Sequence, residues 1–579
     1  MKCRMSVFKV DPVSRIEGHL TIQCNVERKP TLNNEYFVTE CRAPVTMFRG
    51  FEIFLIGRDP RDAILINQRI CGVCPQPHAM ATAMALDDAF DATPPPAAIL
   101  IRNIVEAAYY LYDHLIHFYR LIGPELGVLM GPKYGASLLP PVLGAEGIKK
   151  GIGSHYAECV SIQRSANEVV ALWGGKFPHT TNYYPGGVLS EPTLGRVTRS
   201  IAGLVQVWEF VAQTHIGDIE KLIEMDERLK EVTGAVLGTR VGLEDIGVGN
   251  GNFLSFGMFP WPGDYESDWL NTSKRNKSVM KAGAWTAGVR RAVEENKISE
   301  DVKYSFYDGP DGVHPWDGQT KPNHQKSGAY SWTKAPRYDN EVFEVGPLAR
   351  MLNTQGLEWR IPRIHPLTGQ DYGDFIYRVR NPKGSVLDRV VARAACAMIS
   401  ANAIFEFMNE LNTLIKSNQA GNINSKPVPK EAQGRGLWDA PRGALSHWVK
   451  IKDYQIAHWQ AVVPGTWNWG PRDSKDRPGP GEAAIQCGTT WVPTLSVPQV
   501  ADALHSGWGG IVADALTKLN PKFANLNMER TESGEYVNST IPLLITRSFD
   551  PCLACAVHLI TPERRTYIFE VTHGLSTIA

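Results

Sequence analysis

Two cysteine pairs with C-x-x-C spacing lie near opposite ends of the chain, each with a histidine a few residues downstream. They are Cys71 and Cys74 with His78, and Cys552 and Cys555 with His558. Two such turns offer four thiolates, a soft donor set that suits zinc, iron–sulfur clusters, or nickel and iron. One pair alone would equally fit a thioredoxin-like redox motif. Two pairs predict a metal centre. A structural zinc site with four cysteine ligands is the simplest such centre, although the wide separation of the two pairs along the chain counts against a local zinc ribbon.

The other six cysteines occur singly along the sequence. They are Cys3, Cys24, Cys41, Cys159, Cys396 and Cys487. This pattern suits small buried hydrophobes better than a disulfide framework. It also offers no cysteine run of the kind that binds an iron–sulfur cluster.

Composition bounds the class of protein. The 60 Lys and Arg residues balance 60 Asp and Glu residues, which gives no general electrostatic attraction to nucleic acid. The first ten residues lack the apolar segment of a signal peptide. The sequence contains no stretch of 18 uninterrupted apolar residues, so we expect no transmembrane helix. We therefore expect a folded chain that needs another chain to reach a membrane or leave the cytoplasm.

The elements that position these cysteines are mainly helical. Periodicity predicts long helices over residues 96–121, 194–229 and 385–416, and a short one over 59–69 with Asp59 as its N-cap. Strands are predicted within residues 9–45, 444–451 and 456–463, and a loop over 418–436. Residues 250–340 suggest an inserted lobe or surface loops. The predicted fold is α+β and mainly helical, with a core of long bundled helices and small peripheral sheets.

At these motifs the chain resembles the large subunit of nickel–iron hydrogenases. Both family signatures, R-x-C-G-x-C-x-x-x-H and D-P-C-x-x-C-x-x-H, are met in full. Further family-like segments follow in the family's order, at residues 11–19, 48–63, 330–338, 440–447 and 462–468. The resemblance implies a hydrogenase that cleaves H2, most simply in the uptake direction.

The resemblance also implies the ligand set. Cys71 and Cys552 would be terminal nickel ligands, and Cys74 and Cys555 would bridge nickel to an iron carrying one CO and two cyanides. Glu52, the main-chain carbonyl of Ala461 and His558 would bind magnesium, although Glu52 could instead pair with Arg49.

Further residues match family positions around the metals. Glu17 would relay protons, or would merely pair with Arg15. Arg442 would reach over the metals, held by Asp113 and Asp550. Without the resemblance, Asp113 would be a charge on a helix surface and Asp550 would be a turn former. His78 would hydrogen-bond a ligating sulfur, or would be a satisfied core residue.

One position departs from the family pattern. Gly465 stands where the family commonly has Ser or Thr, whose hydroxyl can donate to a cyanide. We expect a slightly altered ligand field there and retained activity.

The resemblance predicts a catalytic domain over residues 1–558 and a C-terminal extension, 559–579, removed on maturation. It implies an iron–sulfur small subunit, a maturation endopeptidase, nickel-delivery factors and membrane association through the partner complex. Two alternatives remain. A metal-free quinone-reductase subunit would lack the four cysteines, and a zinc-stapled scaffold would leave the Glu17, Glu52 and Arg442 segments unexplained.

Overall fold

A computed structural model of the chain describes residues 5–30, 35–123, 126, 152–237, 240–263, 272, 275, 278–488, 490–492, 528–532 and 536–554. Within these residues the fold is broadly α+β, with helices and several small sheets. The helices are α1 Phe51–Phe54, α2 Asp62–Asn67, α3 Pro75–Ala89, α4 Pro96–Ile116, α5 Ile152–Gly174, α6 Leu194–Glu209, α7 Ile216–Leu237, α8 Pro347–Gln355, α9 Val386–Lys416, α10 Pro464–Trp469, α11 Pro480–Ile485 and α12 Thr540–Ser548.

The long helices pack together at the centre. Helix α4 contacts α9 and α5, and α6 packs on both α5 and α9. The Ser385 hydroxyl caps α9 by accepting the Asp388 N–H. Among the described residues, α9 alone is long and apolar enough to cross a membrane, but 83% of its apolar window is buried inside the protein. Its apolar surface is therefore accounted for by the core.

The strands form small sheets around these helices. They are β1 Met5–Val10, β2 Ile22–Lys29, β3 Glu35–Arg42, β4 Tyr183–Tyr184, β5 Gly187–Val188, β6 Asn252–Met258, β7 Met280–Thr286, β8 Val289–Arg291, β9 Ile298–Asp301, β10 Ala335–Tyr338, β11 Glu344–Val345, β12 Glu358–Ile361, β13 Phe375–Arg378, β14 Glu431–Ala440, β15 Gly443–Lys452, β16 Gln455–Val462, β17 Trp491–Val492, β18 Met528–Arg530 and β19 Tyr536–Asn538. In the described part of the chain, two sheets have four strands, in the orders β1-β2-β3-β17 and β11-β6-β7-β8. The antiparallel sheet β14-β15-β16 carries site residues.

Helix α3 lies unusually close to strand β14. A Cβ atom at Gly436 would stand 1.9 Å from the Ala81 carbonyl oxygen, so only glycine permits this approach. Alanines at positions 81 and 85 keep the facing helix surface small. This packing sets the first cysteine turn, which directly precedes α3, beside the β14–β15 hairpin.

Most predicted elements are present, with shifted boundaries. The long helices, the strands of β2 and β3, and those of β15 and β16 are confirmed. The short helix begins at Asp62, with Arg61 as N-cap, so Asp59 as N-cap was wrong. The predicted 418–436 loop runs into β14, which begins at Glu431. Residues 250–340 supply the paired strands β6 to β10, as well as loops.

The isolated cysteines that the structure describes are largely buried, as expected. Cys24, Cys41, Cys159 and Cys396 are all buried. Cys24 and Cys41 lie directly opposite each other on β2 and β3, which their separation in sequence does not indicate.

Candidate metal centre

Three cysteine sulfurs from the two ends of the chain meet in the interior. Cys552 Sγ lies 3.3 Å from Cys71 Sγ and 3.4 Å from Cys74 Sγ, and all three residues are buried. Within the described ranges, these three form the one group of three or more His, Cys, Asp or Glu residues with atoms close enough to share an ion. The soft, buried donor set fits nickel, iron or zinc. Cys555 and His558 lie outside the described residues.

The backbone of the first turn favours negative charge on its sulfurs. The N–H groups of Val73 and Cys74 donate to Cys71 Sγ at 3.2 and 3.1 Å. Helix α3 begins at Pro75, so the positive end of its dipole lies beside Cys74. A thiolate is the form that binds metal, so this local structure prepares the turn for an ion.

The second turn is held by the segment around Glu17. The Glu17 N–H donates to the Pro551 carbonyl at 3.1 Å, and the Leu553 N–H donates to the Glu17 carbonyl at 3.0 Å. A Cβ on Gly18 would stand 2.4 Å from the Ala554 nitrogen, so glycine is required for this approach. The N-terminal segment therefore lies directly on the second cysteine turn.

The Glu17 carboxylate contacts the same turn. Its Oε2 atom accepts the Ala554 N–H at 2.8 Å and lies 3.3 Å from Cys552 Sγ. Burial, together with the nearby Cys71 sulfur, raises the pKa of Glu17 to about 8. Glu17 thus combines contact with a candidate ligand and a pKa near neutrality.

Arg442 occupies the turn between β14 and β15 and joins two buried carboxylates. Its Nη1 atom lies 3.0 Å from Asp113 Oδ2, and its Nη2 atom lies 3.2 Å from Asp550 Oδ2. Arg393 on α9 makes a second ion pair with Asp550 at 3.2 Å. Burial by itself would raise the pKa of Asp550, but the two guanidinium groups lower it below its ordinary value.

Burial resolves the alternative interpretation of Asp113. Asp113 is fully buried on α4, so the helix-surface interpretation was wrong. Sequence reasoning missed Arg393, although an arginine within the otherwise apolar stretch 390–398 of α9 was the available signal.

His78 pairs with a histidine that sequence reasoning had not singled out. His78 Nδ1 lies 3.1 Å from His447 Nε2, and both rings are buried. Asn67 lies 3.5 Å from the other ring nitrogen of His447. His447 ends the family-like segment 440–447, which was its only signal.

The candidate magnesium ligands Glu52 and Ala461 are adjacent. The Ala461 N–H donates to Glu52 Oε1 at 2.8 Å, and the Thr320 hydroxyl donates to Glu52 Oε2. In an extended strand the N–H and C=O of one residue point to the same side, so the Ala461 carbonyl also faces Glu52. Gln460 donates to Thr320 and accepts from Lys334. This arrangement offers two hard oxygen donors, suited to magnesium.

Comparisons with known proteins define the class. The family model for nickel-dependent hydrogenases matches residues 49–125 and 150–499, and the chain belongs to this family. The chain is therefore a hydrogenase large subunit.

Individual relatives are similar to this chain over nearly its whole length. The chain is 31% identical to the periplasmic [NiFeSe] hydrogenase large subunit of Desulfomicrobium baculatum, over 96% of this chain and 95% of the relative. It is 29% identical to the quinone-reactive Ni/Fe-hydrogenase large chain of Wolinella succinogenes, over 95% of each. The solved Ni-Fe-Se hydrogenase of D. vulgaris Hildenborough in the reduced state superposes with a TM-score of 0.72. It is 31% identical and covers 96% of this chain and 100% of that one.

Proposed function

We propose that this chain is the catalytic subunit of a nickel–iron hydrogenase that oxidises H2 and passes electrons to an iron–sulfur small subunit. The supporting observation is the buried sulfur cluster, to which Cys71, Cys74 and Cys552 contribute from both ends of the chain. Cys555 supplies the fourth thiolate. All four ligand positions are cysteine, so the donor set is sulfur only.

The four cysteines would hold the Ni–Fe(CO)(CN)2 centre, with Cys71 and Cys552 on nickel and Cys74 and Cys555 between nickel and iron. When bound, this centre supplies the heterolytic cleavage of H2. Glu17 would accept the proton that this cleavage leaves on Cys552 Sγ, because its Oε2 atom lies 3.3 Å from that sulfur. Glu17 is therefore the proton relay.

Arg442 keeps a fixed positive charge beside the thiolates. Asp113 and Asp550 hold two of its nitrogens, which leaves the planar guanidinium in one orientation. Such a preorganised cation stabilises negative charge on the sulfurs and on anionic ligands of iron. His78 would hydrogen-bond a ligating sulfur, while its Nδ1 atom is held by His447. Gly465 would offer no side-chain hydroxyl to a cyanide of the bound centre, for which we expect a slightly altered ligand field.

Magnesium would be bound by Glu52, the Ala461 carbonyl and His558. In the proposed maturation, nickel-delivery factors load the chain and an endopeptidase removes residues 559–579, leaving a catalytic domain over 1–558. Its helical core brings the two cysteine turns together.

One relative supports the proposed direction of turnover and the proposed location. Quinones are lipid-soluble electron acceptors, and one relative is a quinone-reactive hydrogenase. This relative favours H2 uptake and membrane association through the partner complex for this chain.

The first experiment measures metals and infrared bands on the chain co-expressed with its small subunit and maturation factors. We expect nickel and iron near one each per chain, bands of CO and cyanide, and a chain ending at His558. Zinc in a processed, partner-bound chain would instead favour the scaffold function.

Two variants test the assigned roles. Cys555→Ser should abolish H2 uptake, because it removes a bridging ligand, and full activity would exclude that assignment. Glu17→Gln should retain both metals but lose most proton–deuterium exchange, because an amide cannot carry the proton. Unchanged exchange would exclude Glu17 as relay.

A further inference from the structure

The Arg49 side chain connects the two cysteine turns. Its Nη1 atom donates to the Arg69 carbonyl oxygen at 3.1 Å. Its Nη2 atom donates to the carbonyl oxygens of Ile70 and Ala554. Ile70 directly precedes Cys71, and Ala554 directly precedes Cys555. One guanidinium group therefore contacts the backbone of both turns immediately ahead of a candidate ligand.

An arginine is chemically suited to this position. Its planar guanidinium carries five N–H donors in a rigid fork, so one side chain serves several carbonyl oxygens at once. The Phe51 ring lies 5.0 Å from the guanidinium carbon and helps to orient it. A lysine would carry the same charge on one compact ammonium, without the fork.

The second turn lies between two sets of contacts. On one side, the Glu17 carboxylate accepts the Ala554 N–H at 2.8 Å. On the other side, Arg49 donates to the carbonyl oxygen of the same residue. The Glu17 carboxylate contacts lie on the second turn, whereas Arg49 contacts both turns. Arg49 is thus placed to fix the distance between them.

We propose that Arg49 is a positioning residue that holds the two cysteine turns at ligand distance before metal enters. It acts through the backbone carbonyls that precede Cys71 and Cys555. The proposal rests on the proposed function for the identity of the metal, whereas the positioning itself is measurable in the metal-free chain.

The test compares disulfides formed in the full chain produced without nickel. Diamide takes two electrons and two protons from a pair of thiols and leaves a disulfide. Peptide mapping then gives the ratio of disulfides between turns, which join Cys552 to Cys71 or Cys74, to the Cys71–Cys74 disulfide within one turn. In the wild-type chain the sulfurs of different turns are 3.3 and 3.4 Å apart, so disulfides between turns should be abundant.

Three variants give the comparison. Arg49→Gln should lower this ratio by about tenfold or more, since it removes charged hydrogen bonds to both turns. Arg49→Lys should lower it comparably, because the charge is kept but the fork is lost. Arg58→Gln is the matched control: Arg58 donates to the Phe54 carbonyl at 2.9 Å on the exposed side of the same segment. Its ratio should equal that of wild type.

A second readout is nickel content in the heterodimer. Arg49→Gln and Arg49→Lys should hold several-fold less nickel than Arg58→Gln, at unchanged far-ultraviolet circular dichroism. A wild-type disulfide ratio in Arg49→Gln would overturn the proposal, and full rescue by Arg49→Lys would show that charge alone acts. Absence of nickel from the wild-type complex would overturn the proposed function, and the disulfide ratio would still decide the role of Arg49.

Discussion

Replacing Gly18 with alanine should displace the second cysteine turn. Gly18 has φ +82°, and an added Cβ would lie 2.4 Å from the Ala554 nitrogen and 2.8 Å from the Leu553 carbonyl carbon. That is about 1 Å inside ordinary contact, and the atoms met first are backbone. The two segments must therefore separate, which pulls Cys552 away from Glu17 and from Cys71.

The loss of folding free energy in Gly18→Ala has two components, which a control variant can separate. Alanine at positive φ costs about 1–2 kcal/mol wherever it occurs. Gly57 also has φ +82°, but an added Cβ there meets nothing within 4 Å. Gly57→Ala therefore carries the backbone cost alone, and Gly18→Ala carries the same cost plus the separation of the two segments.

The assay is nickel content and H2 uptake of the purified heterodimer, alongside the thermal midpoint. Gly57→Ala should lose some stability and keep its nickel. Gly18→Ala should lose most of its nickel and at least about 100-fold in uptake, because a misplaced ligand disrupts the reacting geometry. Equal nickel in the two variants would refute the reasoning.

Two further predictions concern buried charges. Arg442→Lys should keep its metals but slow H2 uptake by about 100-fold, because one ammonium cannot hold Asp113 and Asp550 together as the guanidinium does. Uptake at the wild-type rate would exclude a role of the Arg442 guanidinium in turnover. Burial raises the pKa of Glu106 to about 8, with the Tyr183 hydroxyl donating to Oε1 at 2.8 Å. Since this folded-state pKa lies above the ordinary 4.5, the stability contributed by the neutral carboxyl is full at low pH and is lost as pH rises through about 8. Urea unfolding between about pH 5 and pH 8 should therefore show that the free energy of unfolding falls in wild type and changes less in Glu106→Gln. The difference between the two should reach up to about 1.4 kcal/mol per unit of pKa shift. Parallel profiles would contradict this prediction.

Local signals located most elements. The 3–4 spacing of apolar residues predicted α4 and α9, and the Ser385 cap marks where α9 begins. Asp59 was wrong as an N-cap because its carboxylate accepts the Arg61 N–H in the preceding turn, and the helix starts only afterwards. Strand β14 was partly assigned to a loop because its glycines are poor strand formers. Tertiary packing against α3 is what requires them.

The sequence by itself determined the family and supplied the candidate ligands. Spacing within a C-x-x-C turn is local, so Cys71, Cys74, Cys552 and Cys555 could be named before any fold was known. Only the tertiary structure decided that Arg393 joins Asp550, that His447 meets His78, and that Arg49 contacts both turns. These partners lie on different elements, and their contacts depend on how α3, α4, α9 and the β14–β15 hairpin pack. Spacing along the sequence does not predict that packing. The helices pack so as to bury their apolar faces, and this packing, which local propensity does not specify, decides where their polar side chains meet.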